Sequence, residues 1–358
     1  PEPGLAGWIV KAVDGNDTYY GVSNDSGYYK IAVDEGSYIL QVDAPNDQLW
    51  LVCTPIVAVG QVSPDDTVSV PDVPVQEILN CPLMEVSIST PFLRRCFDNN
   101  FYYVNYCNVG TDDALNASIV VTMDPFLSIV TSELLYANLG NGQYLFELGN
   151  VAVGACGDFW FRVMVSCDAV LGQTHCVEAL ADPAGECLIT DPLWSGASVS
   201  LRSECTTDSV YFIIKNTGIG NMSADAEYIV IEDAVMRAMG TDLRLDSGDS
   251  MRIAVPANGA TWRVEVTQEP LHPGASQPML SVEGCSATGV FTTGFVSQFS
   301  SDDDDPWIDI ECRANIGAYD PNDKQGFPIG YGAQRYIKPG TDVEYLIRFQ
   351  NTGTDTAF

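Results

Sequence analysis

Residues 103–125, YVNYCNVGTDDALNASIVVTMDP, and residues 211–233, YFIIKNTGIGNMSADAEYIVIED, carry one phrase twice. Each is an alternating, aromatic-rich run, then Asn-x-Gly, then an apolar run of strand length. Alternation at a period of two lines one sheet face with apolar side chains, and Asn and Gly favour a turn. The turn residues Asn108 and Asn216 are 108 positions apart, about the size of an immunoglobulin-like sandwich. A cysteine precedes each turn (Cys96, Cys205), and each copy closes on a strand ending in another (VMVSC at Cys167, LSVEGC at Cys285). The pattern predicts one Ig-like sandwich over 83–168 and a second over 193–288.

Working outward, YLIRFQNTGTDTAF (345–358) repeats only the first half of the phrase, so an incomplete Ig-like domain is expected over 336–358. Its missing strands are expected either from chain continuing past Phe358 or from a neighbouring molecule pairing with the open edge. Residues 1–80 read as a small separate sandwich, 169–192 as a disulfide-closed linker, and 289–335 as an acidic Gly/Pro-rich linker. YKIAVDEGSYILQVDAP (29–45) reads as two strands about Glu35-Gly36. In GDFWFRVMVSC (157–167), Phe159, Phe161, Val163 and Val165 share a face. GDSMRIAV and TWRVEVTQ (248–255, 261–268) flank a hairpin-type connection, Pro256-Ala257-Asn258-Gly259. Helical periodicity is nearly absent; its best instance is EDAVMRAM (232–239). The fold class is therefore all-β: tandem β-sandwich domains.

The chain has 358 residues, with 48 Asp and Glu against 16 Lys and Arg, a net charge of -32. Nucleic acid and anionic membrane surfaces need clustered Lys and Arg, so neither is an expected partner. No run approaches the roughly 20 apolar residues of a membrane-spanning helix. The first residues are Pro-Glu-Pro with no initiating Met, so the chain reads as processed or cut from something larger. Eleven cysteines with only two histidines, and no Cys-x-x-Cys, favour disulfides in an extracellular or periplasmic setting over metal sites.

Geometry restricts the pairing. Cys156 and Cys167 flank one extended strand and lie over about 30 Å apart, whereas a disulfide holds Cα atoms about 4.4–6.8 Å apart. Cys96 and Cys107 are separated in the same way. If the two strands are antiparallel neighbours, Cys96 pairs with Cys167 and Cys107 with Cys156. Cys205–Cys285 repeats the outer pair, Cys176–Cys187 closes the linker, and Cys53–Cys81 ties down the first module. Cys312 is left over.

The acidic turns supply hard oxygen ligands of the kind calcium takes. Candidate ligands are Asp14, Asn16 and Asp17, and the run Asp302, Asp303, Asp304 and Asp305. Solvated turns explain the same residues, and none matches an EF-hand loop. No other cofactor is expected. His175 beside Cys176 suggests a thiol–imidazole pair, but a disulfide would consume the thiol. No Gly-x-Ser-x-Gly, phosphate loop or histidine metal pair occurs, so catalysis is not expected.

Several stretches resemble known families. GLAGWIVKAVDGNDTYYGVSNDSGYYKIAVDEGSYILQV (4–42) resembles the transthyretin-like or Cna-B-type modules that act as stalks in bacterial surface proteins. CPLMEVSISTPFLRRCFDNNFYYVNYCNVGT (81–111), LGQTHCVEA, DPLWSGAS and YDPNDKQGFPIGYGAQRYIKPGTDVEYLIRFQNTGTDTAF (319–358) resemble repeat regions of large type IX-secreted cell-surface proteins of Bacteroidota. The resemblance implies tandem β-sandwiches, an extracellular cell-surface location and a longer parent chain, and brings no catalytic residues. The expected function is a structural or adhesive surface element, a stalk, fibre or filament. Its partners would be other copies of itself or neighbouring repeat domains. The alternative is a binding or spacer region of a larger secreted enzyme, with glycans as ligand and the tryptophans Trp8, Trp50, Trp160, Trp194, Trp262 and Trp307 as candidate platforms.

Overall fold

The computed structural model describes residues 4–24, 26–286, 290–292, 294, 296, 304–317, 323–327 and 337–348. Every regular element among them is a strand. The N-terminal module holds β1 (Ile9–Val13), β2 (Thr18–Val22), β3 (Gly36–Asp43), β4 (Trp50–Val52), β5 (Ile56–Val62) and β6 (Val75–Glu77). They form a sheet ordered β2-β1-β3-β5 and a small β4-β6 pair. Trp8, Val10, Tyr38, Leu40 and Val42 fill its core. Residues 29–34, expected as a strand, lie outside any ladder, but Tyr29, Ile31 and Val33 still pack on that core.

The first sandwich contains β7 (Met84–Ser89), β8 (Leu93–Arg94), β9 (Phe97–Asn108), β10 (Ala114–Met123), β11 (Leu127–Ser132), β12 (Tyr136–Gly140), β13 (Gln143–Val151), β14 (Cys156–Val165) and β15 (Thr174–Asp182). One sheet is β11-β14-β9-β7. Its inward residues Tyr102, Val104, Phe159, Phe161, Val163 and Val165 are all buried against Ile119, Val121, Phe146 and Val177 of the other sheet. Tyr102 stacks on Phe161 at 5.3 Å and Phe146 meets Phe159 at 4.7 Å.

The second sandwich contains β16 (Val199–Cys205), β17 (Ser209–Asn216), β18 (Ala226–Glu232), β19 (Val235–Leu243), β20 (Ser250–Pro256), β21 (Trp262–Val266) and β22 (Met279–Val282), in sheets β16-β17-β20 and β19-β18-β21-β22. Two stretches resolve locally here. EDAVMRAM turns at Asp233, whose φ is 52°, and continues as the edge strand β19. The β20–β21 connection is not a hairpin, because its two strands belong to opposite sheets.

The repeated Asn builds the same corner in both sandwiches. Asn108 Oδ1 accepts the N–H groups of Gly110 (3.1 Å) and Leu83 (3.3 Å), and its Nδ2 donates to the carbonyls of Asp112 (2.8 Å) and Val151 (3.0 Å). Asn216 does the same with Gly218 (3.0 Å), Ser198 (3.1 Å), Gly220 (2.9 Å) and Leu245 (3.2 Å). The glycine is required by space. A Cβ on Gly110 would lie 2.3 Å from the Leu83 nitrogen, and one on Gly218 would lie 2.3 Å from the Gly196 carbonyl oxygen. The chain entering each sandwich crosses directly over the turn. The third Asn-x-Gly, at Asn351, lies outside the described residues.

Beyond the second sandwich the chain returns to the first. Strand β23 (Ile308–Ile316) pairs antiparallel with β15, extending the second sheet to β12-β13-β10-β15-β23-β8. Two expected linkers are thereby corrected. Residues 174–182 and 308–316 are adjacent sheet strands, so the second sandwich is an insertion between two strands of the first. Beyond them, β24 (Asp323–Phe327) and β25 (Glu344–Arg348) form an antiparallel pair.

This topology decides the cysteines. Cys96–Cys167, Cys107–Cys156 and Cys205–Cys285 are bonded as expected. Cys176 pairs with Cys312, its direct cross-strand neighbour, and Cys187 pairs with Cys81. The expected Cys176–Cys187 link fails because β15 runs extended from Cys176 to Asp182, roughly 20 Å, carrying Cys187 to the joint between the first two modules. Cys187 Sγ lies there 3.3 Å from the Pro82 carbonyl oxygen. With Cys81 taken, Cys53 rather than Cys312 is the free thiol, and it is exposed.

Candidate functional site

A buried polar cluster sits where β23 docks. His175 and Asn315 are buried. His175 Nδ1 lies 3.0 Å from Asp124 Oδ1, and its Nε2 lies 2.9 Å from Asn315 Nδ2. The Asn315 amide has one orientation, since its Oδ1 accepts the Gly172 N–H (3.1 Å) and its Nδ2 also donates to the Val170 carbonyl (2.8 Å). Nε2 is therefore the acceptor, and the imidazole proton sits on Nδ1, donated to Asp124. The neighbouring Cys176 is in its disulfide, so no thiol–imidazole pair forms. The second sandwich joins this corner through Glu283, whose carboxylate accepts the Thr174 N–H at 2.6 Å. Burial raises the Glu283 carboxyl above its ordinary range.

A second histidine pair was not legible in the sequence, because its partners are 74 residues apart. His272 Nε2 is 3.1 Å from Ser198 Oγ. The Gly274 N–H donates to His272 Nδ1 (3.2 Å), which leaves the proton on Nε2, pointing at the serine. A base that activates a serine needs the opposite arrangement. Nearby, buried Glu269 accepts from Ser195 Oγ (2.7 Å) and the Ser223 N–H (2.9 Å), tying three loops together.

The candidate cation ligands are dispersed. Asp14 Oδ1 accepts the N–H groups of Asn16 (2.9 Å) and Asp17 (2.8 Å), which hold its carboxyl below the usual range. That geometry is a self-capped turn. Asp304 is exposed, Asp305 accepts the Ala275 N–H at 2.6 Å, and Asp302 and Asp303 lie outside the described residues. Among the described residues, no three His, Cys, Asp or Glu side chains converge as a metal-holding group.

A cleft of about 420 Å³ opens between the sandwiches, lined by Met123, Glu178, Leu201, Met279 and Ile310. Burial raises the Glu178 carboxyl. On the outer face of the first sandwich, β9 and β14 carry an aromatic strip. Phe101 stacks on Tyr103 at 6.2 Å and meets Trp160 at 5.4 Å, with Tyr103 half exposed and Trp160 opposite it across the strands. None of the six tryptophans is itself fully exposed.

No family model matches the chain, and no curated protein does. Among solved structures, a mutant Salmonella alpha-2-macroglobulin is similar at 11% identity over 80% of this chain, with a TM-score of 0.18. The chain spans 21% of that protein's length, and a likeness this faint carries no argument. The setting follows from the molecule itself. Five disulfides require an oxidising, extracellular or periplasmic environment.

Proposed function

We propose that this chain is a non-catalytic structural element of a bacterial cell surface, a disulfide-stapled segment of a stalk or filament in the manner of type IX-secreted repeat proteins. The observation that carries the reading is the position of the staples. Cys81–Cys187 closes the joint between the N-terminal module and the first sandwich, packed with Leu49, Leu83 and Trp307. Cys176–Cys312 holds the returning strand beyond the inserted second sandwich. A chain that must hold its modules in fixed order needs covalent joints there. Neighbouring repeats or other copies are the partners the pair β24–β25 suggests. Tyr345 and Ile347 are 57% and 59% exposed, whereas their counterparts in the repeat, Tyr102 and Val104, Val210 and Phe212, are buried. Immunogold labelling of source cells, both intact and in thin section, tests the reading. Label on surface fibres, lost on protease shaving, supports it; label confined to the cell interior overturns it.

The aromatic strip Phe101–Tyr103–Trp160 supports a second reading, carbohydrate binding within a larger secreted protein, because sugar rings stack on flat aromatic faces. Glycan-array binding that is lost in Trp160→Ala and Tyr103→Ala would establish it.

A further inference from the structure

We propose that Cys81–Cys187 and Cys176–Cys312 act together as a covalent tension bypass, so that pulling on the flanking modules passes along β15 and β23 and spares the rest of the first sandwich and the whole of the second. The N-terminal module enters at Cys81, and the chain leaves toward β24–β25 just after Cys312 on β23. The two bonds bridge 106 and 136 residues of sequence, and their loops overlap. The shortest covalent route from 81 to 312 therefore crosses to Cys187, runs back eleven residues to Cys176, and crosses to Cys312. The first sandwich up to Ser166 hangs on one loop and the whole second sandwich on the other.

This route is nearly taut. Residues 176–182 already lie extended in β15, between β10 and β23, so only the turn at 183–187 can be drawn out. At about 3.4 Å per residue, eleven residues and two disulfides span at most about 50 Å, against about 790 Å for the bare chain from 81 to 312. Reduction would expose the sandwiches to load. Even then Cys96–Cys167 and Cys205–Cys285 give each its own inner staple, released only if they too are reduced. The inference rests on connectivity and holds whether or not the chain is a cell-surface stalk.

Single-molecule force spectroscopy on the full chain, tethered at both termini, reads the route length directly. Without reductant, neither disulfide-closed loop should contribute contour length. Complete reduction should add about 750 Å. Replacing one bond, with Cys176→Ser and Cys312→Ser together, diverts the route through 187–205, the Cys205–Cys285 bond and 285–312. That variant should gain about 115 Å over the oxidised parent. An oxidised parent that releases the length of either sandwich, or a double variant indistinguishable from it, would overturn the proposal.

Discussion

Asp309 on β23 accepts the backbone N–H of Ile88 on β7 at 2.6 Å, across 221 residues of sequence. The bond ties the returning strand to the opposite sheet of the first sandwich and encloses the carboxylate. Burial raises the Asp309 carboxyl above its ordinary range, opposed by the N–H groups of Ile88 and Ile310. Glu178 and Glu283 are raised by burial as well.

A carboxyl raised in the folded state holds its proton longer there than in the unfolded chain. Its favourable contribution is complete below the ordinary carboxyl range and is lost as pH rises through the raised value. Glu178 has no ion-pair or side-chain hydrogen-bond partner among the described residues. Glu178→Gln should therefore stabilise the chain by a few tenths of a kcal/mol at pH 7, after solvent screening. At pH 4 it should make no difference. Urea midpoints at the two pH values check this, and an equal effect at both would show that the charge is not the cause.

The Asn corners should dominate the local stability of each sandwich. Asn216→Ala removes the four hydrogen bonds of a buried side chain and leaves two N–H and two carbonyl groups without their partner, a loss of about 2–4 kcal/mol. Hydrogen exchange on the intact chain should show faster opening across 197–266. Asn108→Ala should do the same across 83–165. A loss below about 0.5 kcal/mol would mean that water replaces the side chain freely.

Alkylation of the native, unreduced chain should modify Cys53 alone, the only free thiol among the described cysteines. Peptide mapping should then recover Cys81–Cys187 and Cys176–Cys312. Modification at Cys312 would mean that β23 is not docked on β15.

At the acidic turn of the first module, cap and cation ligand give opposite results. Asp14→Asn keeps an oxygen for the N–H groups of Asn16 and Asp17, whereas Asp14→Ala removes it. Melting of the Asn variant should match the parent with and without a chelator, and only the Ala variant should melt lower. A parent whose melting temperature falls on chelation, beside an Asn variant that does not respond, would establish a bound cation.

Local sequence determined much of this molecule, for physical reasons that are themselves local. Alternation placed Phe159, Phe161, Val163 and Val165 on the buried face, because successive strand residues point to opposite sides whatever the partner strand. The repeated Asn-x-Gly marked both sandwiches, because one side chain and one missing Cβ satisfy the crossing at each corner. Strand length separated Cys96 from Cys107 and Cys156 from Cys167, which left the cross-strand pairs that form. What required the tertiary structure was the partner of each edge. β15 looks like a linker because its neighbour β23 lies beyond the second sandwich, and no local pattern records a pairing at that distance. The same return set Cys176 against Cys312, and joined His175 and Asn315 140 residues apart. EDAVMRAM has helical spacing, yet it turns at Asp233 and from Val235 pairs with β18 as an edge strand, since the intrinsic preference of eight residues is too weak to resist.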